Sequence, residues 1–595
     1  MSGPPADQSG RGGNLSPPPP RWVLGDPPDP LRIDHLERDL DLPRPMCALL
    51  VARGYHDPDA AKTFLRPRLS ELHPPETLPD LPSAVARVLS AIQNEETIFV
   101  HGDYDVDGMA GTALLTRWLE KLGGRVVPFV PHRVRDGYDL GDAGLEAAIS
   151  AGASLLITVD CGILAHSAVE KARTLGLDVI VTDHHATGEE LPPALAVLNP
   201  SRADSVYPNP DLCGTGVAFK LCQGLARARG IGEEELHPFL DLVGLATVAD
   251  LVPLKNENRV LARYGLKALG RTQNLGLQAL MATAGVSPDG VSAGKVGFAL
   301  APRLNALGRL GEPREGLRLL LTNQRDEARQ LARVAEEVNR ERQDADRQSL
   351  DEALEMLTGS FDPERDYGVV LASENWHPGV VGIVASRVAE RIHRPAVLIA
   401  IDGNRGRGSA RSIPDYHLLD GIRACSSLLE RFGGHRQAAG MEIQRDLIPD
   451  FRKAFNAEAR SALAGTDLRP SLKVEVEVPL ESVDQDLYRY LQYMGPHGIG
   501  NPGPSFLARG VALSGPGRIV GADHLKLRLR QGRKELEAIG FNLARRISPQ
   551  ALGTGPVDVV FHLQENEFRG VCQLQAHLKD IRPVDPPSAP GRSGS

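Results

Sequence analysis

Between Thr97 and Leu266, short apolar runs alternate with stretches of helical character, and few architectures satisfy that alternation. Thr97–Val100, Val126–Val130, Leu155–Val159, Val179–Thr182 and Ala196–Leu198 each suit one buried strand. The segments between them suit the crossover helices that parallel strands require. The expected product is an α/β domain over residues 97–266 with a mostly parallel sheet.

In such a sheet the carboxyl ends of the strands share one edge, where ligand crevices form. This chain loads that edge with acid. The first run leads into His101-Gly102-Asp103-Tyr104-Asp105-Val106-Asp107-Gly108, with carboxylates at alternate positions and glycines that permit a sharp turn. Leu155–Val159 ends at Asp160, Val179–Thr182 at Asp183-His184-His185, and the apolar segment Gly244–Ala249 at Asp250. A lone Asp in such a place also reads as a turn or helix cap. Several apolar segments ending this way point instead to one pocket fed from distant parts of the chain.

Crowded carboxylates repel one another and resist desolvation, and divalent cations relieve both costs. Carboxylate with imidazole and without thiolate suits Mn2+ or Mg2+. The carboxylates suffice for two ions with a shared ligand, an arrangement suited to displacement at phosphorus. An EF-hand is excluded because no acidic twelfth ligand follows at the required spacing.

Elsewhere, residues 1–45 are rich in Pro, Gly and Asp and are expected to be a disordered tail. Residues 46–96 read as a helical lead-in, and 267–360 as a helical region ending in one long connecting helix. The stretch 323–358 holds neither Gly nor Pro, which predicts a rod of roughly 50 Å. A smaller α/β unit is expected over 361–465, with strands near Tyr367–Leu371 and Ala396–Ile401. From 470 to 582 the short runs Leu472–Val478, Ala512–Ser514, Leu525–Leu529, Val557–Leu563 and Val571–His577 predict a small all-β barrel or sandwich. Residues 583–595 form a second Pro/Ser/Gly tail.

Candidate substrate contacts lie outside the acidic motifs. Gly408-Ser409-Ala410-Arg411-Ser412 offers small residues, hydroxyls and a guanidinium that can fork onto phosphate, or it is an ordinary loop. Gly433-Gly434-His435 suits amide contacts to phosphate, or a turn. Arg303 and Arg309 flank Asn305 and reach phosphate or cap a helix; Arg387 does so or forms a salt bridge. Lys526, Arg528 and Arg530 alternate with leucines and so share one strand face. With Phe541 or Phe568 for stacking, that face fits single-stranded nucleic acid, although charge runs also serve as plain surface and aromatics as core.

Composition sets the limits. The chain has 595 residues, enough for three or four domains, with no run approaching eighteen apolar residues and no apolar signal core. A membrane span and secretion are therefore not expected, and the location is read as cytoplasmic. The six cysteines are scattered without a CxxC pair, which reads as buried thiols in a reducing compartment. A net charge of −9 requires any nucleic-acid contact to use a local basic surface.

His101, Asp105, Asp107, Asp160, Asp183-His184-His185 and Asp250, in this order, resemble the motifs of the DHH phosphoesterase superfamily. Ala301–Arg309, Trp376–Arg387, Gly408–Ser412, Gly433–Gly440 and Pro496–Pro502 narrow the resemblance to the RecJ family, over about residues 46–582. The resemblance implies a DHH domain, a DHH-associated substrate-binding domain and an OB-fold. It implies one ion on Asp105 and Asp160 with His101 or Asp103. A second would lie on Asp107, Asp160, His184 and Asp250, with Asp160 bridging. His185 would support a ligand or touch the scissile phosphate. His377, Ser386, Arg387, Ser409, Arg411, Ser412, Gly433, Gly434 and His435 would face the substrate. The implied activity is hydrolysis of single-stranded DNA from 5′ to 3′, releasing 5′-mononucleotides in repair and recombination. The implied setting is a monomer near the nucleoid, working beside a single-strand-binding protein and a helicase. Two rival readings are a DHH phosphoesterase for oligoribonucleotides or cyclic dinucleotides, which the β segment 470–582 disfavours, and a non-catalytic strand-binding scaffold.

Overall fold

The structure, a computed structural model, describes residues 18–133, 135–137, 139–553, 555–568 and 571–584. The chain divides into two compact units. One comprises Thr63–Arg342 with Met494–Gly503, and the other holds the remaining segments, with the boundary at 342/343 inside one helix.

The expected disorder of residues 1–45 is corrected from Pro18 onward; residues 1–17 lie outside the described residues. Strand β1 (Arg21–Leu24) pairs in parallel with Ser471–Val474, and Pro30–Leu40 is a helix capped by Asp29, whose side chain accepts from the Leu31 amide. Proline content hid an ordered strap. Trp22 gives it an anchor: its indole N–H donates to the buried Asp580 carboxylate at 2.7 Å.

The first α/β sheet contains β2 (Thr97–Gly102), β3 (Arg125–Phe129), β4 (Ala153–Val159), β5 (Asp178–Thr182) and β6 (Ala196–Leu198). All are parallel, in the order β3-β2-β4-β5-β6. The chain leaves β2 in one direction to reach β3 and then returns past it to β4. The carboxyl ends of β2 and β4 therefore flank the switch point of the winding, where loops diverge and open a crevice. Val100, Ile157 and Ile180 pack on one layer of helices, and Phe99, Leu156 and Val181 on the other. Burial on both faces explains why these strands read as continuous apolar runs.

The connecting helix runs from Arg325 to Leu357, 33 residues. After it come β7 (Val369–Ser373), β8 (Ala396–Asp402), β9 (Arg405–Arg411), β10 (Arg431–Gly434) and β11 (Ala438–Gln444). They form a mixed sheet in the order β10-β11-β9-β8-β7, with only β7 and β8 parallel, and helix Val381–Ile392 links those two. Gly408–Arg411 and Gly433–Gly434 are thus strands, not the loop and turn their composition suggested.

The C-terminal segment contains β12 (Ser471–Val474), β13 (Val476–Glu477), β14 (Phe506–Leu513), β15 (Arg518–Val520), β16 (His524–Gln531), β17 (Lys534–Gly540), β18 (Val557–Phe568) and β19 (Val571–Pro583). Pairing runs β14-β18-β19-β17-β16 and returns to β14, closing a barrel in which only β17 and β19 are parallel. Closure removes exposed edges, and this Greek-key order is that of an OB-fold. Residues 585–595, most of the expected second tail, lie outside the described residues. Cysteines are buried as expected at five positions, but Cys572 is exposed. Among the described residues, no helix is long and apolar enough to cross a membrane.

Candidate metal centre

Each acidic residue at the sheet edge is held by its own local device. The Asp103 amide continues the ladder to the Val159 carbonyl (3.2 Å), and the Asp160 amide to Thr182 (2.9 Å). Asp105 caps helix Val106–Lys121, accepting from the amides of Asp107 (2.9 Å) and Gly108 (3.2 Å). Gly108 is required because a Cβ there would lie 2.4 Å from the Asp103 nitrogen. Asp107 spends both carboxylate oxygens on the first turn of helix Gly214–Ala228: Gly214 donates at 2.6 Å and Thr215 at 2.7 Å. Helix N-termini favour such an anion. Asp160 adopts the left-handed conformation at φ 63°, which turns its side chain out of the strand path.

Asp250 arrives differently from expectation. The segment ahead of it belongs to helix Leu240–Ala249, and Asp250 is that helix's C-cap rather than the end of a strand. A short, uniformly apolar segment carries no period to tell helix from strand.

The donors converge on one point. His184 Nε2 lies 3.1 Å from Asp160 Oδ1, 3.7 Å from Asp250 Oδ2 and 3.9 Å from Asp107 Oδ2. Asp103, Asp105 and Asp160 form one set of donors and Asp107, His184 and Asp250 another, with atoms in each set within 4.8 Å of one another. A third set joins Asp160 to both histidines. Asp103 Oδ1, Asp160 Oδ1, His184 Nε2 and Asp250 Oδ2 are buried without a hydrogen-bond partner. Orphaned acceptors aimed at a shared space fit divalent cations.

The electrostatics agree. Burial, then repulsion from Asp107 and Asp105, pushes Asp250 up to about 9. Burial and the neighbouring carboxylates likewise raise Asp103, Asp105 and Asp160. Burial lowers His184, leaving the neutral imidazole a cation needs. Burial opposes charge on His185 too, but its Nδ1 bond to Asp183 (2.7 Å) carries it up to about 9. A cavity of about 190 Å³ opens over Asp103, Asp105, Asp160 and Asp250, with Tyr104, Arg133, His185, Asn305 and Arg309 in its wall.

Other expected site residues divide. Asn305 and Arg309 reach this cavity, and Asn305 also receives the Val106 amide at 3.0 Å. Arg303 is committed to Glu336 (2.5 Å) and to the Ala299 carbonyl. His101 stands apart from all three donor sets. Strand alternation turns its fully buried ring towards Gly144, where a Cβ would lie 2.6 Å from Nε2, and beside Phe129.

In the second α/β unit, Arg411 donates to the Ser409 hydroxyl at 3.1 Å, and a Cβ on Gly382 would lie 2.9 Å from that hydroxyl. Ser386 bonds back to the Gly382 carbonyl (3.2 Å). His435, lowered by burial and then by Arg411, belongs to the same group. Strand register lines up Ser409, Gly440 and Gly433, with Gly434 beside Ala439, and the two glycines of that row have open space where a Cβ would stand. His377 caps the Gly379 amide (3.0 Å), Arg387 pairs with buried Asp346 (3.0 Å), and Ser412 turns to the Tyr416 carbonyl (2.9 Å).

On the barrel, Lys526, Arg528 and Arg530 share a face as expected, but β17 answers them. Lys526 (3.1 Å) and Arg528 (2.9 Å) both pair with Glu537, and Arg530 stands opposite Glu535 in register. The Phe568 side chain lies outside the described residues.

Sequence reasoning missed several supports. Asp183 accepts from the amides of Ile163 (3.0 Å), His184 (2.7 Å) and His185 (3.1 Å), fixing the histidine pair. Gly214 and Thr215 hold Asp107, and Asp139 accepts the Gly162 amide at 2.6 Å, bracing the turn after Asp160. Only Asp183, next to the histidines, carried a local signal.

Comparison with known proteins bears on this centre. Family models match residues 97–247 (DHH family, N-terminal domain), 366–461 (DHHA1 domain) and 474–580 (RecJ OB domain). The single-stranded-DNA-specific exonuclease RecJ of Escherichia coli strain K12 is 34% identical over 580 residues, 93% of this chain and 99% of its own. The chain belongs to the RecJ family. RecJ from Bacillus subtilis strain 168 is 35% identical over 94% of this chain and 70% of its own. RecJ from Thermus thermophilus in complex with Mn2+ matches at TM-score 0.81 and 32% identity, covering 95% of this chain and 80% of that one. The same RecJ with Mg2+ matches at TM-score 0.77 and 30% identity, covering 95% and 79%. These are the two cations that the donor chemistry here selects.

Proposed function

We propose that this chain is a metal-dependent exonuclease that hydrolyses single-stranded DNA from its 5′ end and releases 5′-mononucleotides. The observation that carries this reading is the set of orphaned acceptors at the switch point of a parallel sheet, in a chain of the RecJ family.

Asp103, Asp105 and Asp160 would hold one divalent cation, and Asp107, His184 and Asp250 the other, with Asp160 common to both. Bound Mn2+ or Mg2+ would supply Lewis-acid stabilisation of charge at phosphorus and lower the pKa of attacking water. The protein positions everything else. Asp183 and the helix amides at Gly214 and Thr215 keep the donors rigid before substrate arrives. Arg309, Asn305 and the charged His185 line the cavity wall, where they would orient a phosphate. Arg411, Ser409, His435 and the open glycine row form a second anion-binding surface, suited to a strand terminus. The barrel would grip the strand farther along.

The cellular reading follows the same line: a cytoplasmic, nucleoid-associated monomer serving repair and recombination, with a single-strand-binding protein and a helicase exposing its substrate. The decisive test is digestion of end-labelled single- and double-stranded DNA with Mn2+, Mg2+ or chelator. Release of labelled mononucleotide from 5′-labelled single strands, abolished by chelator, supports the reading. Release first from the 3′ end, or equal cutting with chelator, overturns it.

A further inference from the structure

The barrel poses a problem for electrostatic binding. On the face made by β16, β17 and β19 carboxylates offset only part of the positive charge: Lys526 and Arg528 share Glu537, Arg530 stands opposite Glu535, and exposed Lys579 lies near His577. Cations already paired with carboxylates gain less from releasing counterions, the term that usually dominates phosphate binding. Yet the amino end of the same face carries unspent aromatic surface. Phe541, directly after β17, is 52% exposed. It stands 5.1 Å from the His524 ring at 70° and 5.3 Å from the His577 ring at 66°.

The placement is built rather than accidental. Gly540 pairs with Leu525 on β16, and Ile539 pairs with His577 on β19, so the three rings come from adjacent strands. The Asn542 amide donates to His524 Nδ1 at 3.2 Å, and Asn542 is left-handed at φ 59°, which fixes the turn beneath Phe541. A Cβ on Gly540 would strike Leu543 at 2.2 Å, so the chain keeps glycine there and the turn stays tight. Phe541 is thus an exposed ring whose edges are clamped before any ligand arrives.

We propose that Phe541, clamped between His524 and His577, is a base-stacking platform through which the barrel holds single-stranded DNA. The inference rests on the exonuclease reading and deepens it: base faces, and not phosphates alone, supply the barrel's grip. Only an unpaired strand can offer a base face to the ring, so the platform also discriminates against duplex.

The test measures affinity of the full chain, in chelator, for a fluorescent 20-nucleotide thymidine strand and for an abasic strand of equal length. Phe541→Ala should weaken binding to the thymidine strand about 5- to 150-fold, the range for one stacked base. The slope of affinity against salt should not change, Phe541→Trp should restore binding, and the abasic strand should bind wild type and Phe541→Ala alike. Manganese-dependent hydrolysis of a tetranucleotide by the wild type checks the exonuclease reading separately. Binding by Phe541→Ala within twofold of wild type, or a loss that comes with a shallower salt slope, would overturn the proposal. Failure of the wild type to hydrolyse the tetranucleotide would sink the exonuclease reading instead, leaving the affinity comparison to judge the platform.

Discussion

His184 Nε2 and Asp160 Oδ1 lie 3.1 Å apart, and neither atom makes a hydrogen bond. Their lone pairs face a common space, and Asp160, grouped both with Asp103 and Asp105 and with the two histidines, is the residue proposed above as common to the two cations. Asp160→Ala should lower turnover of single-stranded DNA by about 10³-fold or more, since cation stabilisation supplies several kcal/mol. Affinity for the strand should stay within a few-fold. Single-turnover rates beside anisotropy binding check this, and activity within tenfold of wild type would remove Asp160 from its bridging role.

Cation binding should stabilise the fold, because it relieves repulsion among Asp103, Asp105, Asp160 and Asp250. Mn2+ at about a hundredfold excess over its Kd adds about 2.7 kcal/mol by mass action. Thermal melts with Mn2+ and with chelator should therefore differ for the wild type, and the difference should shrink for Asp107→Asn, which removes a donor from one of the two sets.

Gly214→Ala tests the backbone support. A Cβ there would lie 2.5 Å from the Asp160 Cβ and 2.8 Å from its Oδ1, so the helix start or the carboxylate must move. Titration calorimetry should show Mn2+ affinity reduced at least about tenfold, as for other ligand supports. Gly216→Ala, whose Cβ meets nothing nearer than 3.4 Å, should bind like wild type.

The sheet edge was legible because parallel strands are apolar throughout and the acids follow them directly, as at Val159-Asp160 and Thr182-Asp183. Residues that depend on register were not. Whether Lys526 and Arg528 are free or neutralised depends on which residue of β17 stands opposite, and Lys534–Gly540 carries two glutamates in a segment with little strand signature. Gly408–Arg411 hid as a strand because small residues lack β propensity, which neighbours on both sides override here. His101 has the same strand parity as Asp103, yet it stands apart from the donor sets, because β2 ends at Gly102 and the chain turns there towards the helix that starts at Val106.

Asp241 should make stability fall with rising pH. It is buried, accepts from the Leu242 amide at 2.7 Å and from the Thr272 hydroxyl, and is pushed up to about 6, chiefly by burial. Below its unfolded value near 4 both states hold the proton and nothing is lost. Between 4 and 6 the unfolded state ionises first, so stability drops, by about 3 kcal/mol in all. Asp241→Asn should therefore gain up to about 3 kcal/mol at pH 8, and the gain should vanish below about pH 4 in urea titrations.

Trp22 ties the strap to the barrel. Its indole donates to Asp580, which also receives Arg546 (3.1 Å), and Arg582 lies 4.1 Å over its ring. Trp22→Ala should cost about 2 kcal/mol in denaturant titrations, from a charged hydrogen bond and a cation–π contact. Trp22→Phe should recover part of this by keeping a ring beneath the guanidinium.

That tie joins residues 558 positions apart, and its partner strand at Ser471–Val474 is also late in the chain. During synthesis, residues 21–24 leave the ribosome long before Ser471–Val474 and Asp580, and must wait for them before they can settle. Long-range closure of this kind is slow, and an exposed strand awaiting its neighbour is open to wrong partners. A segment made early is thus among the last to find its place, so a bulky insertion just ahead of Arg21 should hinder maturation more than one just after the barrel.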